Sequence, residues 1–332
     1  MPADIRTRLT EKIFNISSDA CFEEVAMELF SYQYRNNNLY RQYLEILGAD
    51  PEKLVKTDDI PCLPLSFFKN HSIYTGSKPG SVIFRSSGTG STSPSVHFVA
   101  DTGLYEKSLI RCFQMFYGDP QNYCILALLP SYIERGDSSL VYMAGVLIKR
   151  SGHPHSGFYR DDPVALTRVL TENEKNHQKT LLIGVSFALL DLFRNHRFRL
   201  ENTTIVETGG MKGRRKEITR EELHDILKSA TGLERIHSEY GMTELLSQAW
   251  SKGNGIFHTP PWMKIMIRDA YNPFSYLEPE KSGGINIIDL ANIDSCAFLE
   301  TADLGRRVPD GGFEVMGRFD NSDIRGCNLL SE

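Results

Sequence analysis

Residues suited to handling a nucleotide recur along this chain in a fixed order. In Ser86-Ser87-Gly88-Thr89-Gly90-Ser91-Thr92, small residues and hydroxyls follow a short apolar run, Val82-Ile83-Phe84. Backbone N–H groups can approach an anion there while serine and threonine side chains wrap it, so phosphate is the natural guest; a surface turn uses the same residues. No Gly-Lys-Ser/Thr ending follows, which separates the run from a Walker loop. In Tyr240-Gly241-Met242-Thr243-Glu244 the ring can lie against a base, the hydroxyl can bond an α-phosphate, and the carboxylate can hold Mg²⁺ through oxygen. The plainer alternative is a Tyr-Gly turn in which Glu244 caps the helix it starts. In Glu300-Thr301-Ala302-Asp303-Leu304-Gly305-Arg306, the carboxylate of Asp303 sits ahead of a Leu-Gly-Arg turn and can accept from both ribose hydroxyls. Arg318, in Gly317-Arg318-Phe319-Asp320, can donate to the same sugar or to phosphate; a surface turn with a salt bridge is the bland reading of both.

Other candidates are weaker. Gly209 and Gly210 end an apolar run and permit backbone contact with a flat base, and the cations that follow, Lys212 and Arg214 foremost, can neutralise phosphate or face solvent. Cys327, beside Arg325 in Arg325-Gly326-Cys327-Asn328, has a neighbour that favours the thiolate, a nucleophile for acyl transfer; a buried small hydrophobe is the commoner fate. His153-Pro154-His155 lacks a third ligand and reads as a turn.

The elements that must position these groups form an α/β chain. Residues up to about 60 read as helical, with Phe22, Val25, Ala26, Leu29 and Phe30 on one stripe and Tyr40, Tyr43, Leu44 and Leu47 on another. Ile60-Pro61-Cys62-Leu63-Pro64 breaks any helix and reads as a linker. Strands follow at Val82–Phe84, Cys124–Leu129, Leu181–Val185 and Thr203–Glu207, alternating with helices that start at Asp162-Pro163 and at the capping box Thr219-Arg220-Glu221-Glu222. A charge of −5 gives no global pull towards nucleic acid or anionic lipid. No window supplies a membrane span, the N-terminus lacks a secretory pattern, and the six cysteines lack close pairs, which fits a cytoplasmic protein.

Taken in order, these strings resemble the adenylate-forming superfamily of acyl-CoA synthetases, adenylation domains and luciferases. Leu129-Pro130-Ser131-Tyr132-Ile133-Glu134-Arg135-Gly136-Asp137-Ser138-Ser139-Leu140 and the Arg-Gly-Cys ending are similar to the acyl-protein synthetase (LuxE-type) family, relatives of phenylacetate-CoA ligase. The resemblance implies a large adenylate-forming α/β domain with mixed, largely parallel sheets and flanking helices, lacking the usual small C-terminal domain. It divides the chain into a helical segment at 1–75, the α/β domain at 76–316 and a hinge-like tail at 317–332. Its activity would be ATP- and Mg²⁺-dependent conversion of a carboxylic acid, a fatty acid by analogy, to an acyl-adenylate, then transfer to a thiol. Ser87, Thr89 and Gly90 would lie on the phosphates, Gly209 and Gly210 beside adenine, Tyr240 against its ring, Thr243 at the α-phosphate and Glu244 at Mg²⁺. Asp303 would hold ribose, Arg318 would sit at the domain junction, and Cys327 would be acylated.

The departures from that pattern bear on mechanism. The phosphate run continues Ser93-Pro94-Ser95 without the usual lysine, and the Thr-Gly-Asp pattern appears as Thr301-Ala302-Asp303. The lysine normally supplied by the small domain would lie beyond this chain, which leaves Lys212 or Arg214 as stand-ins or makes adenylation slow. Direct loading of CoA or a carrier-protein phosphopantetheine is the second enzymatic reading, and a non-catalytic scaffold for an acyl-CoA reductase is the third. Phe187, Trp250 and Trp262 are candidate lining for the acid.

Overall fold

The computed structural model describes residues 4–86, 93–129, 136–209 and 218–319. The chain opens with α1 (Ile5–Ile13), α2 (Asp19–Asn36) and α3 (Asn38–Ile46). Phe22, Val25, Ala26, Leu29, Phe30 and Gln33 line the buried stripe of α2, at the spacing of one helix face. Asn37 joins α2 to α3 by accepting from Tyr40 N, a cap that needs no intervening loop. Gln33 is fully buried and donates through Nε2 to the carbonyls of Asn292, Ile293 and Ser295 at 2.9, 3.1 and 3.2 Å. Arg6 of α1 bonds Asp294 and Asp101. These long-range bonds fasten the helices to the rest of the protein.

The expected linker at 60–64 holds a strand. β1 (Leu63–Pro64) runs parallel to a strand near residue 299, pairing Leu63 with Leu299 and Pro64 with Glu300. Tyr40 and Tyr43 donate to the carbonyls of Pro61 and Cys62, so the segment is extended because both neighbours satisfy its backbone. After α4 (Phe67–Asn70) come β2 (Val82–Arg85) and β3 (Val96–Val99), an antiparallel pair.

The next stretch builds one sheet and its helices: α5 (Thr102–Tyr117), β4 (Cys124–Leu128), α6 (Ser139–Ser151), β5 (Gly157–Phe158), α7 (Pro163–Lys175), β6 (Thr180–Val185), α8 (Ser186–Asn195), β7 (Thr203–Thr208), α9 (Arg220–Thr231), β8 (His237–Tyr240) and β9 (Ala249–Ser251). The order is β5-β4-β6-β7-β8-β9, parallel except for β9. β4 and β6 are buried along their whole length, as the unbroken apolar runs require. Ile125, Leu181, Ile183 and Val206 point into the core shared with α2 and α5, while Leu126, Leu182 and Ile205 point to the core shared with α7, α8 and α9. The caps at Asp162 and Thr219 form as their sequences dictate, the latter as a complete capping box.

A second sheet, not anticipated from the sequence, follows: β10 (Ile256–Phe257), β11 (Met263–Arg268), β12 (Gly283–Asp289), β13 (Phe298–Arg307) and β14 (Phe313–Arg318). Its order is β10-β14-β13-β12-β11, antiparallel throughout, with β1 added to β13. The fold is thus α/β with one largely parallel and one largely antiparallel sheet. Leu304-Gly305-Arg306 is strand rather than turn: a Cβ on Gly305 would lie 2.3 Å from the carbonyl oxygen of Glu314, so glycine lets β13 and β14 close there. No helix of the described residues is long and apolar enough to cross a membrane.

Candidate active site

The parallel strands β4, β6, β7 and β8 all leave the sheet on one edge, where open α/β sheets take ligands. Gly209 follows β7 there with φ +66°, and its carbonyl accepts from Ser186 Oγ at 2.6 Å. Tyr240 ends β8 and turns its ring towards the second sheet, edge-on to Phe257 and Phe313. Its hydroxyl donates to Asp303 Oδ2 at 2.8 Å, and Arg318 Nε donates to Asp303 Oδ1 at 2.8 Å. Tyr240 and Asp303 are buried, whereas the Arg318 side chain is 74% exposed. Burial, followed by the Asp303 charge, raises the Tyr240 hydroxyl well above its ordinary pKa, so it stays a donor. Asp303 raises the Arg318 guanidinium in turn.

The structure therefore brings together three residues separated by up to 78 positions in sequence, and the register Asp303↔Arg318 across β13 and β14 explains why. Glu244 is buried on the turn that follows β8, where the charges of Arg318 and Asp303 act on it. The turn that carries Thr243 and Glu244 leads into β9, not into a helix, so a helix-capping role for Glu244 is excluded. Burial raises the Glu244 carboxyl above the usual range, opposed by a hydrogen bond from Ser95 and by Arg318. Among the described residues no cluster of three His, Cys, Asp or Glu side chains could hold a metal by itself. A Mg²⁺ bound mostly by phosphate oxygens needs only one or two protein carboxylates, a number that Glu244 could supply.

Ser87, Thr89, Gly90, Gly210, Lys212 and Cys327 lie outside the described residues, as do Arg214 and Asp320. Trp250 and Trp262 are core rather than lining: Trp250 packs on Phe113 and Tyr117, and Trp262 donates to Ser108 and Ser247. Phe187 belongs to the core on the α8 side of the sheet. His153 Nδ1 accepts from the His155 backbone within a turn.

Sequence reasoning passed over the residues that hold this site. His97 Nδ1 donates to the Thr243 carbonyl at 2.8 Å, and Asn292 Nδ2 donates to the Glu244 carbonyl at 2.8 Å. Asp289 accepts from the backbone N–H groups of Leu246 and Ser247. Burial pushes the Asp289 carboxyl up to about 6. Glu239 is buried, accepts from Thr208, and is pushed up to about 7 by burial. Arg220 joins the sheets by bonding the buried Glu207 and the Val315 carbonyl across the face of Phe257. The sequence offered no signal for His97: in Ser95-Val96-His97-Phe98 the apolar residues alternate with it, which points His97 outward, whereas the structure buries Ser95 and His97 and leaves Val96 and Phe98 less buried.

This architecture is the large-domain fold of adenylate-forming enzymes. It is similar to ATP-bound MatB from Rhodopseudomonas palustris, with a TM-score of 0.54 and 16% identity over 71% of this chain and 47% of that one. It also matches an open conformation of 2-hydroxyisobutyryl-CoA ligase in complex with 2-HIB-AMP and CoA, with a TM-score of 0.65 and 13% identity over 91% of this chain and 71% of that one. O-succinylbenzoate coenzyme A synthetase (MenE) from Bacillus subtilis, in complex with ATP and magnesium ion, matches with a TM-score of 0.50 and 18% identity over 71% of this chain and 49% of that one. The chain spans about half the length of the MatB and MenE chains. No family model matches the sequence, and no curated protein matches it.

Proposed function

We propose that the protein activates a carboxylic acid with ATP, forming an acyl-adenylate and pyrophosphate, and passes the acyl group to a thiol. The observation that carries this reading is the Tyr240–Asp303–Arg318 cluster beside Glu244, at the edge of the parallel sheet. Asp303 uses one lone pair of each oxygen on its protein partners and keeps capacity for ribose hydroxyls. Tyr240 presents a ring for adenine, Thr243 a hydroxyl for the α-phosphate, and Arg318 an exposed cation. Mg²⁺ held by Glu244 and phosphate would neutralise charge on the leaving pyrophosphate. Gly209 and Gly210 would flank the base, and Ser87, Thr89 and Gly90 the phosphates. Lys212 is the proposed substitute for the small-domain lysine.

The finer reading is a LuxE-type acyl-protein synthetase acting on a fatty acid in the cytoplasm. There Cys327 attacks the acyl-adenylate carbonyl as a thiolate, AMP leaves, and a thioester forms. An acyl-CoA reductase or an acyl carrier protein would be the onward acceptor. Supply of Mg-ATP with acids from short aliphatic to long-chain and aromatic should reveal one that gives acid-dependent pyrophosphate. Cys327→Ser should keep that release and lose the hydroxylamine-labile acyl adduct. No pyrophosphate with any acid refutes the ligase reading, and an intact adduct in Cys327→Ser refutes the cysteine's role.

A further inference from the structure

The turn after β8 is held from two directions. On the second-sheet side, Asn292 and Asp289 bind the Glu244 carbonyl and the Leu246 and Ser247 amides. On the other side the β2–β3 hairpin reaches it through two residues on one face of the returning strand, and α5 reaches it through Ser108, whose hydroxyl lies 3.0 Å from that of Ser247. Ser95 acts to lower the Glu244 carboxyl pKa against its burial, and His97 donates from Nδ1 to the Thr243 carbonyl at 2.8 Å. The hairpin itself closes next to these contacts, with Ser86 N donating to the Ser95 carbonyl at 3.1 Å and Ser95 N donating to Ser86 Oγ at 2.8 Å.

His97 is 1% exposed and packs edge-on to Phe68, with ring centroids 5.7 Å apart. A buried imidazole in apolar surroundings stays neutral, and burial holds His97 down at about 4. A neutral ring carries one N–H, and because its partner at Nδ1 is a carbonyl, that nitrogen must be the donor. The side chain thus has one hydrogen-bond donor and spends it on the backbone of the residue expected at the α-phosphate. Packing alone would be served equally by phenylalanine.

From this geometry we infer that His97 is a positioning residue of the nucleotide site, fixing the Thr243–Glu244 turn relative to the β2–β3 hairpin. The inference rests on the ligase reading for its kinetic consequence and on the Nδ1–carbonyl bond for its structural one. Loss of the donor leaves the half-buried Thr243 carbonyl without this partner and lets the Thr243 hydroxyl and Glu244 carboxylate drift together, a displacement that acts on the chemical step more than on ground-state binding.

The test uses the full chain with Mg-ATP and an acid that supports pyrophosphate release. His97→Phe should lower kcat about 10- to 100-fold with KM for ATP changed less than about threefold. His97→Asn, whose amide nitrogen can stand near the Nδ1 position, should recover to within about fivefold of the parent. Equal activity of the two variants overturns the inference. ¹⁵N spectra of the unsubstituted protein provide a reading that needs no variant: the His97 ring should carry its proton on Nδ1, and a proton on Nε2 overturns the proposal even if His97→Phe fails to fold. Should no acid give pyrophosphate, the ligase reading fails alone. The positioning claim is then judged by the ring tautomer and by amide exchange at Leu245 to Ser247, which should quicken in His97→Phe and not in His97→Asn.

Discussion

Tyr240→Phe isolates a single hydroxyl at the seam between the sheets. The ring and its edge contacts with Phe257 and Phe313 remain, while Asp303 Oδ2 loses its donor. Asp303 is 6% exposed, so water replaces that donor poorly. A hydrogen bond to a charged group contributes about 1.5–3 kcal/mol net. Arg318 still compensates the other oxygen, which puts the expected loss near 2 kcal/mol, or about 30-fold in the folding constant. Unfolding entropy of about 2.1 cal/mol/K per residue gives roughly 0.7 kcal/mol/K for this chain, so Tm should fall by about 3 °C. Calorimetry on the single variants and on the double variant with Asp303→Asn completes a cycle in which Tyr240→Phe should cost under about 0.5 kcal/mol once the charge is gone. A Tm unchanged to within about 1 °C, or the same loss in the Asp303→Asn background, would show that the hydroxyl does not sustain the carboxylate.

Asp303→Asn should weaken ATP binding by about tenfold or more, through lost acceptor capacity for the ribose and a lost partner for Arg318; titration calorimetry measures it, and unaltered affinity refutes the ribose assignment. Glu239 is raised in the folded state, so its contribution is most favourable below the unfolded carboxylate pKa and declines as pH rises towards about 7. Glu239→Gln should therefore gain stability relative to the parent at pH 8 more than at pH 5, by denaturant titration; a pH-independent difference counts against a protonated Glu239. Glu244→Gln should leave Tm near that of the parent and strongly weaken Mg²⁺-dependent turnover, most of all at limiting Mg²⁺, and parental rates at limiting Mg²⁺ would refute a metal role. Gly305→Ala forces a Cβ into the backbone of β14 and should cost about 3 kcal/mol or fail to fold, whereas an unperturbed melt would contradict the closeness of β13 to β14.

The first half of the architecture was legible because its signals are local. Apolar runs at 124–128 and 180–185, a proline after Asp162 and the Thr219–Glu222 pair each encode an element within a few residues. The second sheet was harder to read because its strands depend on partners across hairpins, and Gly305 mimics turn chemistry while serving a close strand crossing. For the site, Tyr240, Glu244 and Asp303 stand out by residue type. Their support does not: His97, Asp289 and Asn292 are ordinary residues in sequence, and only the fold brings them to the same turn. Trp250 and Trp262 erred in the other direction, since large aromatic rings suit a pocket wall and a core equally well.

The bonds from Gln33 to the carbonyls of residues 292, 293 and 295 set an order of events during synthesis. Residue 33 leaves the ribosome 259 positions ahead of its first partner, and at roughly 5–20 residues per second that interval is about 13–50 s. Through it, the stripe of Phe22, Leu29 and Phe30 lacks its second-sheet cover, because Phe298 and Leu299 do not yet exist in the nascent chain. The first helices made are thus among the last to be covered. Nascent chains stalled before residue 290 should bind holdase chaperones and yield to protease within the helical region, and chains extended past Arg307 should resist, with the gain in protection falling in one narrow window of length.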